Sequence, residues 1–131
     1  MDKTLDTVLL MLEGSTITLE IFCVTLALSL PLGLFAALGR LSRFRLLSRL
    51  LEIYIWIMRG TPLMLQLLFV YFALPMVGIL LPDIAAALLA FVLNYAAYFA
   101  EIFRSGIQAI PRGQFEAARA LGMSAPLTMR R

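Results

Sequence analysis

Residues 60–82 read Gly-Thr-Pro-Leu-Met-Leu-Gln-Leu-Leu-Phe-Val-Tyr-Phe-Ala-Leu-Pro-Met-Val-Gly-Ile-Leu-Leu-Pro, 23 residues without a charged side chain. A helix needs about 20 apolar residues to cross the hydrocarbon core of a bilayer, and this run supplies them. Two similar runs flank it. Residues 21–38 are 18 residues without a charge, and residues 84–100 are 17. The whole chain follows suit: of 131 residues, 62% are hydrophobic and 15% charged. Soluble domains average about 45–50% apolar and about 25% charged. A chain this short buries only about two-thirds of its surface in water, too little to hide so much apolar side chain in one core. The mean hydropathy of +0.94 agrees. These features predict an all-α integral membrane protein with the lipid bilayer as its solvent. The three spans lie at about residues 15–39, 47–74 and 83–108.

The charges orient the spans. Arg40, Arg43, Arg45 and Arg49 lie between spans one and two, and Arg104, Arg112, Arg119, Arg130 and Arg131 follow span three. Asp2, Asp6, Glu13 and Asp83 mark the opposite flanks, with Lys3 as the basic residue among them. Positive-inside reasoning places the N-terminus outside, and the arginine loop and C-terminal tail in the cytoplasm. The net charge of +3 is thus a matter of cytoplasmic loops, not of nucleic-acid binding. Residues 1–14 make no signal peptide, since their n-region is not positive. Leu5, Val8, Leu9 and Leu12 recur at helical spacing there, which reads either as a short amphipathic helix at the interface or as a frayed N-terminus without a role.

Several chemistries are excluded. Without histidine there is no imidazole catalysis and no His-ligated metal. A single cysteine, Cys23, forms no internal disulfide or cysteine zinc site. No P-loop precedes Lys3, the only lysine, so the chain hydrolyses no nucleotide by that route. No cofactor and no metal site is expected.

Polar residues inside the spans are the candidates for a translocation path. In span one, Ser29, Gly33 and Ala37 form a small-residue ridge suited to close helix packing. Thr18, Thr25 and Ser29 lie near that face and can bond the backbone or a neighbour, and Pro31 is expected to kink the helix. Glu20 fits either an interface anchor or a path residue. In span two, Arg59-Gly60-Thr61-Pro62 admits two placements. Arg59 is a flank if the membrane helix starts near Gly60. It lies about 18 Å in if the helix starts near Leu47, and the helix then breaks inside the bilayer, as substrate paths often do. The apolar character of residues 50–58 favours the deeper placement. Gln66 shares a face with Arg59. In span three, Asn94, Tyr98, Glu101 and Ser105 form one helical stripe. The stripe either bonds neighbouring helices, with Glu101 paired to Arg104, or lines a polar pathway. Glu101 is also the favoured partner for Arg59.

Past span three, Pro111-Arg112-Gly113-Gln114 reads as a turn. Residues 115–121 read as a short amphipathic helix with Phe115, Ala118 and Leu121 on one face, stopped by Gly122. One Glu and one Arg give it no net charge, so a protein groove suits it better than a lipid surface.

Glu116-Ala117-Ala118-x-x-x-Gly122 resembles the EAA motif of permease subunits of bacterial ABC importers. Arg59-Gly60-Thr61-Pro62-Leu63, residues 97–104 (Ala-Tyr-Phe-Ala-Glu-Ile-Phe-Arg) and residues 106–114 (Gly-Ile-Gln-Ala-Ile-Pro-Arg-Gly-Gln) are similar to the histidine/glutamate/glutamine/arginine/opine branch. The resemblance runs from about Gly14 to Arg131. It implies a single transmembrane permease domain in a bacterial inner membrane, ending in a cytoplasmic coupling helix. Phe115, Glu116, Ala117, Ala118, Leu121 and Gly122 would dock on a separate ATP-binding ABC subunit. Arg59, Thr61, Gln66, Asn94, Tyr98 and Glu101 would belong to the translocation path. The other implied partners are a second permease subunit, as homodimer or heterodimer, and an extracytoplasmic amino-acid-binding protein. The permease itself would be no enzyme. The family pattern continues past residue 131 with Ile-x-Leu-Pro and two further spans. The chain therefore reads as the first three of five spans, cut inside the EAA segment at about residues 111–131. Two other classes fit parts of the sequence. One is a small proton-coupled efflux protein using Glu20, which implies four spans and no structured tail. The other is a non-transporting assembly or regulatory membrane protein.

Overall fold

A computed structural model describes residues 2–130. Six helices follow one another: α1 (Asp2–Arg40), α2 (Arg45–Gly60), α3 (Leu63–Met76), α4 (Asp83–Ala109), α5 (Arg112–Ala120) and α6 (Ala125–Arg130). Arg131 lies outside the described residues. The all-α architecture is the one the apolar runs call for. α1 and α4 are each long and apolar enough to cross a membrane, and α2 with α3 makes a third candidate span broken in the middle.

α1 departs from expectation at its start. The interfacial helix expected before residue 15 is continuous with the first span. Nothing in residues 13–18 ends a helix. Gly14 costs only about 1 kcal/mol in a helix interior. The hydroxyls of Ser15, Thr16 and Thr18 donate back to the carbonyls of Met11, Leu12 and Gly14 at 2.7, 3.0 and 2.9 Å, so they remain satisfied inside the helix. Pro31 sits within α1 without ending it. Glu20 lies on the exposed side.

The span at 47–74 breaks where the sequence has it break, into two helices bent by 104° at residues 61 and 62. The cause is local. Pro62 has no N–H, and its ring drives the preceding residue out of the helical region. Thr61 is accordingly extended, at φ −114° and ψ 144°. α3 packs along α4, and six residues join their ends through a left-handed turn at Gly78, φ +86°.

The core is made of small residues. Ser29 and Ala37 are fully buried, Gly33 and Ala36 lie beside them, and Ala96, Ala97 and Ala100 face them from α4. A Cβ on Gly33 would stand 2.6 Å from the Phe99 Cβ and 3.0 Å from the Ala96 carbonyl oxygen, so the helices touch there backbone to backbone. Close approach of this kind replaces the hydrophobic drive that lipid does not supply. Ile55 of α2 adds to this cluster, with Leu51, Tyr54 and Met58 packed around it. The Thr25 and Ser29 hydroxyls differ from expectation: they are buried between α1 and α4 with no hydrogen-bond partner among the described residues. Side chains such as Phe35, Phe69 and Phe72 stay exposed, as a lipid solvent permits.

Candidate functional site

Where α2 ends, its last carbonyls lose their intrahelical donors. Side chains from three elements replace them. Thr61 donates from both its backbone N–H (3.1 Å) and its hydroxyl (2.8 Å) to the Ile57 carbonyl. The Met58 carbonyl accepts from the Gln66 amide of α3 at 3.0 Å and from the Asn94 amide of α4 at 3.0 Å. Asn94 also donates to Gln66 Oε1 at 3.0 Å, and Gln66 Nε2 lies 2.7 Å from the Thr61 hydroxyl oxygen and 3.3 Å from the Thr61 carbonyl. Asn94 is only 4% exposed, so an unpaired amide there would be costly. The network closes the broken backbone around the buried Asn94.

A charged group lies beside it. Arg104 grips both oxygens of Glu101, through Nε at 3.0 Å and through a second, shorter bond, and also reaches Gln108. Arg59 stands 3.9 Å from Glu101 and 5.6 Å from the centre of the Tyr98 ring. The expected Arg59–Glu101 pair is therefore present but secondary, because Arg104, three residues along the same helix, makes the closer, two-pronged contact. Among the described residues, Ser105 bonds only its own helix, at the Ile102 carbonyl. So Thr61, Gln66 and Asn94 meet in one network, and Arg59, Tyr98 and Glu101 in another. Tyr54 donates its hydroxyl to the Leu93 carbonyl of α4, a contact sequence reasoning missed. Its signal was there: Tyr54 lies four residues before Met58, on the same face of α2.

The tail begins its helix earlier than expected. α5 takes in Arg112, Gly113 and Gln114, which were read as a turn, with Pro111 as its N-cap. The first-turn N–H groups need no intrahelical partner, so the residues after a proline can enter the helix at once. Its end follows the sequence closely. Gly122 adopts φ +71°, its N–H donates to the Arg119 carbonyl at 2.9 Å, and the Met123 N–H donates to the Ala118 carbonyl at 3.0 Å. This is a Schellman cap. α6, at Ala125–Arg130, had no counterpart in the sequence reading.

Phe115, Ala118 and Leu121 share one face, as their spacing predicts, and all three border one hollow. Ala118 is buried and Phe115 half-buried over this hollow of about 760 Å3, which Ile102, Phe103 and Ile107 of α4 also line. Glu116, Ala117, Arg119 and Leu121 remain exposed, Leu121 to 80%.

Known proteins resemble this chain in sequence and fold. The family described as "Binding-protein-dependent transport system inner membrane component" matches residues 29–131. The arginine transport system permease protein ArtQ of Bacillus subtilis (strain 168) is 45% identical over 121 residues, which cover 92% of this chain and 55% of that protein. A putative glutamine transport system permease protein, GlnP of Rickettsia bellii (strain RML369-C), is 39% identical over 124 residues, 94% of this chain and 57% of the relative. The crystal structure of an amino acid ABC transporter with histidines superposes with a TM-score of 0.78 at 37% identity, covering 93% of this chain and 60% of that one. The chain thus spans a little over half the length of the relatives it matches. With the match running through the broken helix and the capped tail alike, the chain belongs to the family of inner membrane components of binding-protein-dependent transport systems.

Proposed function

We propose that the chain acts as a membrane-spanning part of an ATP-driven importer for a polar amino acid. The observation that carries the reading is α5: a short helix, rigidly capped at Gly122, set against the end of a candidate span in a chain of this family. It presents Glu116, Arg119 and Leu121 to a separate ATP-binding subunit. That subunit hydrolyses the nucleotide, and the permease performs no bond chemistry. A second permease subunit completes the pathway, and an extracytoplasmic binding protein delivers the amino acid. The names of ArtQ and GlnP support a polar amino acid as the cargo class. Arg59, Thr61, Gln66, Asn94, Tyr98 and Glu101 form the polar lining of the path at the broken helix. The N-terminus lies outside, and the arginine loop and α5 lie in the cytoplasm, as the charge distribution favours.

The test is affinity purification of the tagged protein from its native membrane, with mass spectrometry of what accompanies it. An ATP-binding subunit is expected in the wild type and lost in Glu116→Lys. A wild-type preparation free of any ATPase overturns the reading.

A further inference from the structure

The elbow between α1 and α2 carries four arginines, and the transport reading uses none of them except as topology markers. Arg40 ends α1, Arg43 lies in the connection, and Arg45 and Arg49 stand on the first turns of α2. One carboxylate, Glu52, faces them, 3.5 Å from Arg40 and 3.5 Å from Arg49. Among the described residues, Arg43 and Arg45 are exposed and have no ion-pair partner. The elbow is not a loose loop: the Ser48 hydroxyl donates to the Arg40 carbonyl at 2.8 Å, and Leu51 packs at Gly39.

The direction of α2 decides what these charges meet. α3 lies along α4, joined through Gln66 and Asn94 at one end and through Pro75, Ile79 and Ala86 near the other. α2 turns 104° away from α3. If α4 crosses the bilayer, α2 runs close to the membrane plane. Its surface fits that position. Ile55, Tyr54 and Met58 face the other helices. Leu46, Leu50, Ile53 and Ile57 form an exposed apolar face, and Arg45, Arg49, Glu52 and Trp56 lie in a stripe along its edge. Phe44, 77% exposed, precedes the helix. Exposed cations beside exposed apolar side chains match a lipid, which offers both a phosphate and acyl chains; a free anion would leave the apolar face unused.

We propose that this elbow is a headgroup site for an anionic phospholipid, with Arg43, Arg45 and Arg49 reaching the phosphate and Leu46, Leu50 and Ile53 in the acyl region. The site is independent of the transport reading and of the leaflet in which it lies.

Trp56 is the only tryptophan in the chain and is 76% exposed in this stripe, so its fluorescence reports on the lipid next to the elbow. The full chain is reconstituted in phosphatidylcholine vesicles containing an equal mole fraction of either brominated phosphatidylglycerol or brominated phosphatidylcholine. The anionic quencher is expected to act more strongly, with each Arg→Gln change at 43, 45 or 49 lowering the preference about fivefold. Arg112→Gln on α5 should leave it intact. Equal quenching of the wild type by the two lipids overturns the proposal without recourse to any variant. Quenching by neither overturns the membrane-plane placement of α2. A preference that survives the triple Arg→Gln variant, or that Arg112→Gln also abolishes, shows general charge attraction and overturns the site.

Discussion

Glu101 sits between two arginines, and the geometry ranks them. Arg104 holds both carboxylate oxygens from the same helix, while Arg59 approaches one of them from α2 at 3.9 Å. In a double-mutant cycle read by thermal unfolding in detergent, the Glu101–Arg104 coupling should exceed the Glu101–Arg59 coupling. Equal couplings would mean that Arg59 closes on Glu101 more tightly than the structure has it. Gly33 makes the second argument at this scale. Its missing side chain lets α1 and α4 meet, since a Cβ would stand 2.6 Å from the Phe99 Cβ. Gly33→Ala should therefore destabilise the pair by about 1–3 kcal/mol, the usual range for overpacking a tight site. An unchanged unfolding midpoint would show that the helices separate at no cost.

Among the elements, α5 is the one whose C-terminal end is most directly specified by sequence. Pro111 opens it and Gly122 closes it, the latter at φ +71°. A Cβ in that region costs about 1–2 kcal/mol. Space is not the obstacle, because no atom lies within 4 Å of where the Cβ would be. Gly122→Ala should then fray the last turn of α5 and weaken retention of the ATP-binding subunit, while Gly113→Ala, in the first turn and at ordinary φ, should not. Retention unchanged by Gly122→Ala would separate the cap from docking. The α2–α3 break was equally legible, because a proline without an N–H interrupts a helix wherever the helix lies. α1 was divided at residue 15 because the charged, amphipathic start of the chain reads as an interfacial helix, yet no residue there ends a helix and back-bonding hydroxyls remain satisfied within it.

At the scale of the molecule, a topology in which α1, the broken α2–α3 pair and α4 each cross the bilayer puts the α1–α2 elbow and α5 on one side and the α3–α4 connection on the other. In a Cys23→Ser background, Arg43→Cys should be labelled from the cytoplasm and Asp83→Cys from outside. The reverse pattern would invert the topology, and labelling of both from one side would remove a span. Apolar run length, the arginine distribution, the break at Pro62 and the stop at Gly122 were all readable in the sequence. Each depends on one residue type or on neighbours along the chain: lipid solubility, a missing N–H, a left-handed φ. The 104° turn of α2, the capture of the Met58 carbonyl by Gln66 and Asn94, and the hollow that α5 shares with the end of α4 came only with the tertiary structure. Helical periodicity shows which residues share a face, but the partner of that face depends on how closely and at what angle helices cross. Here the backbone contact of α1 with α4 at Gly33 sets that crossing, and it sets the distances of everything packed around it.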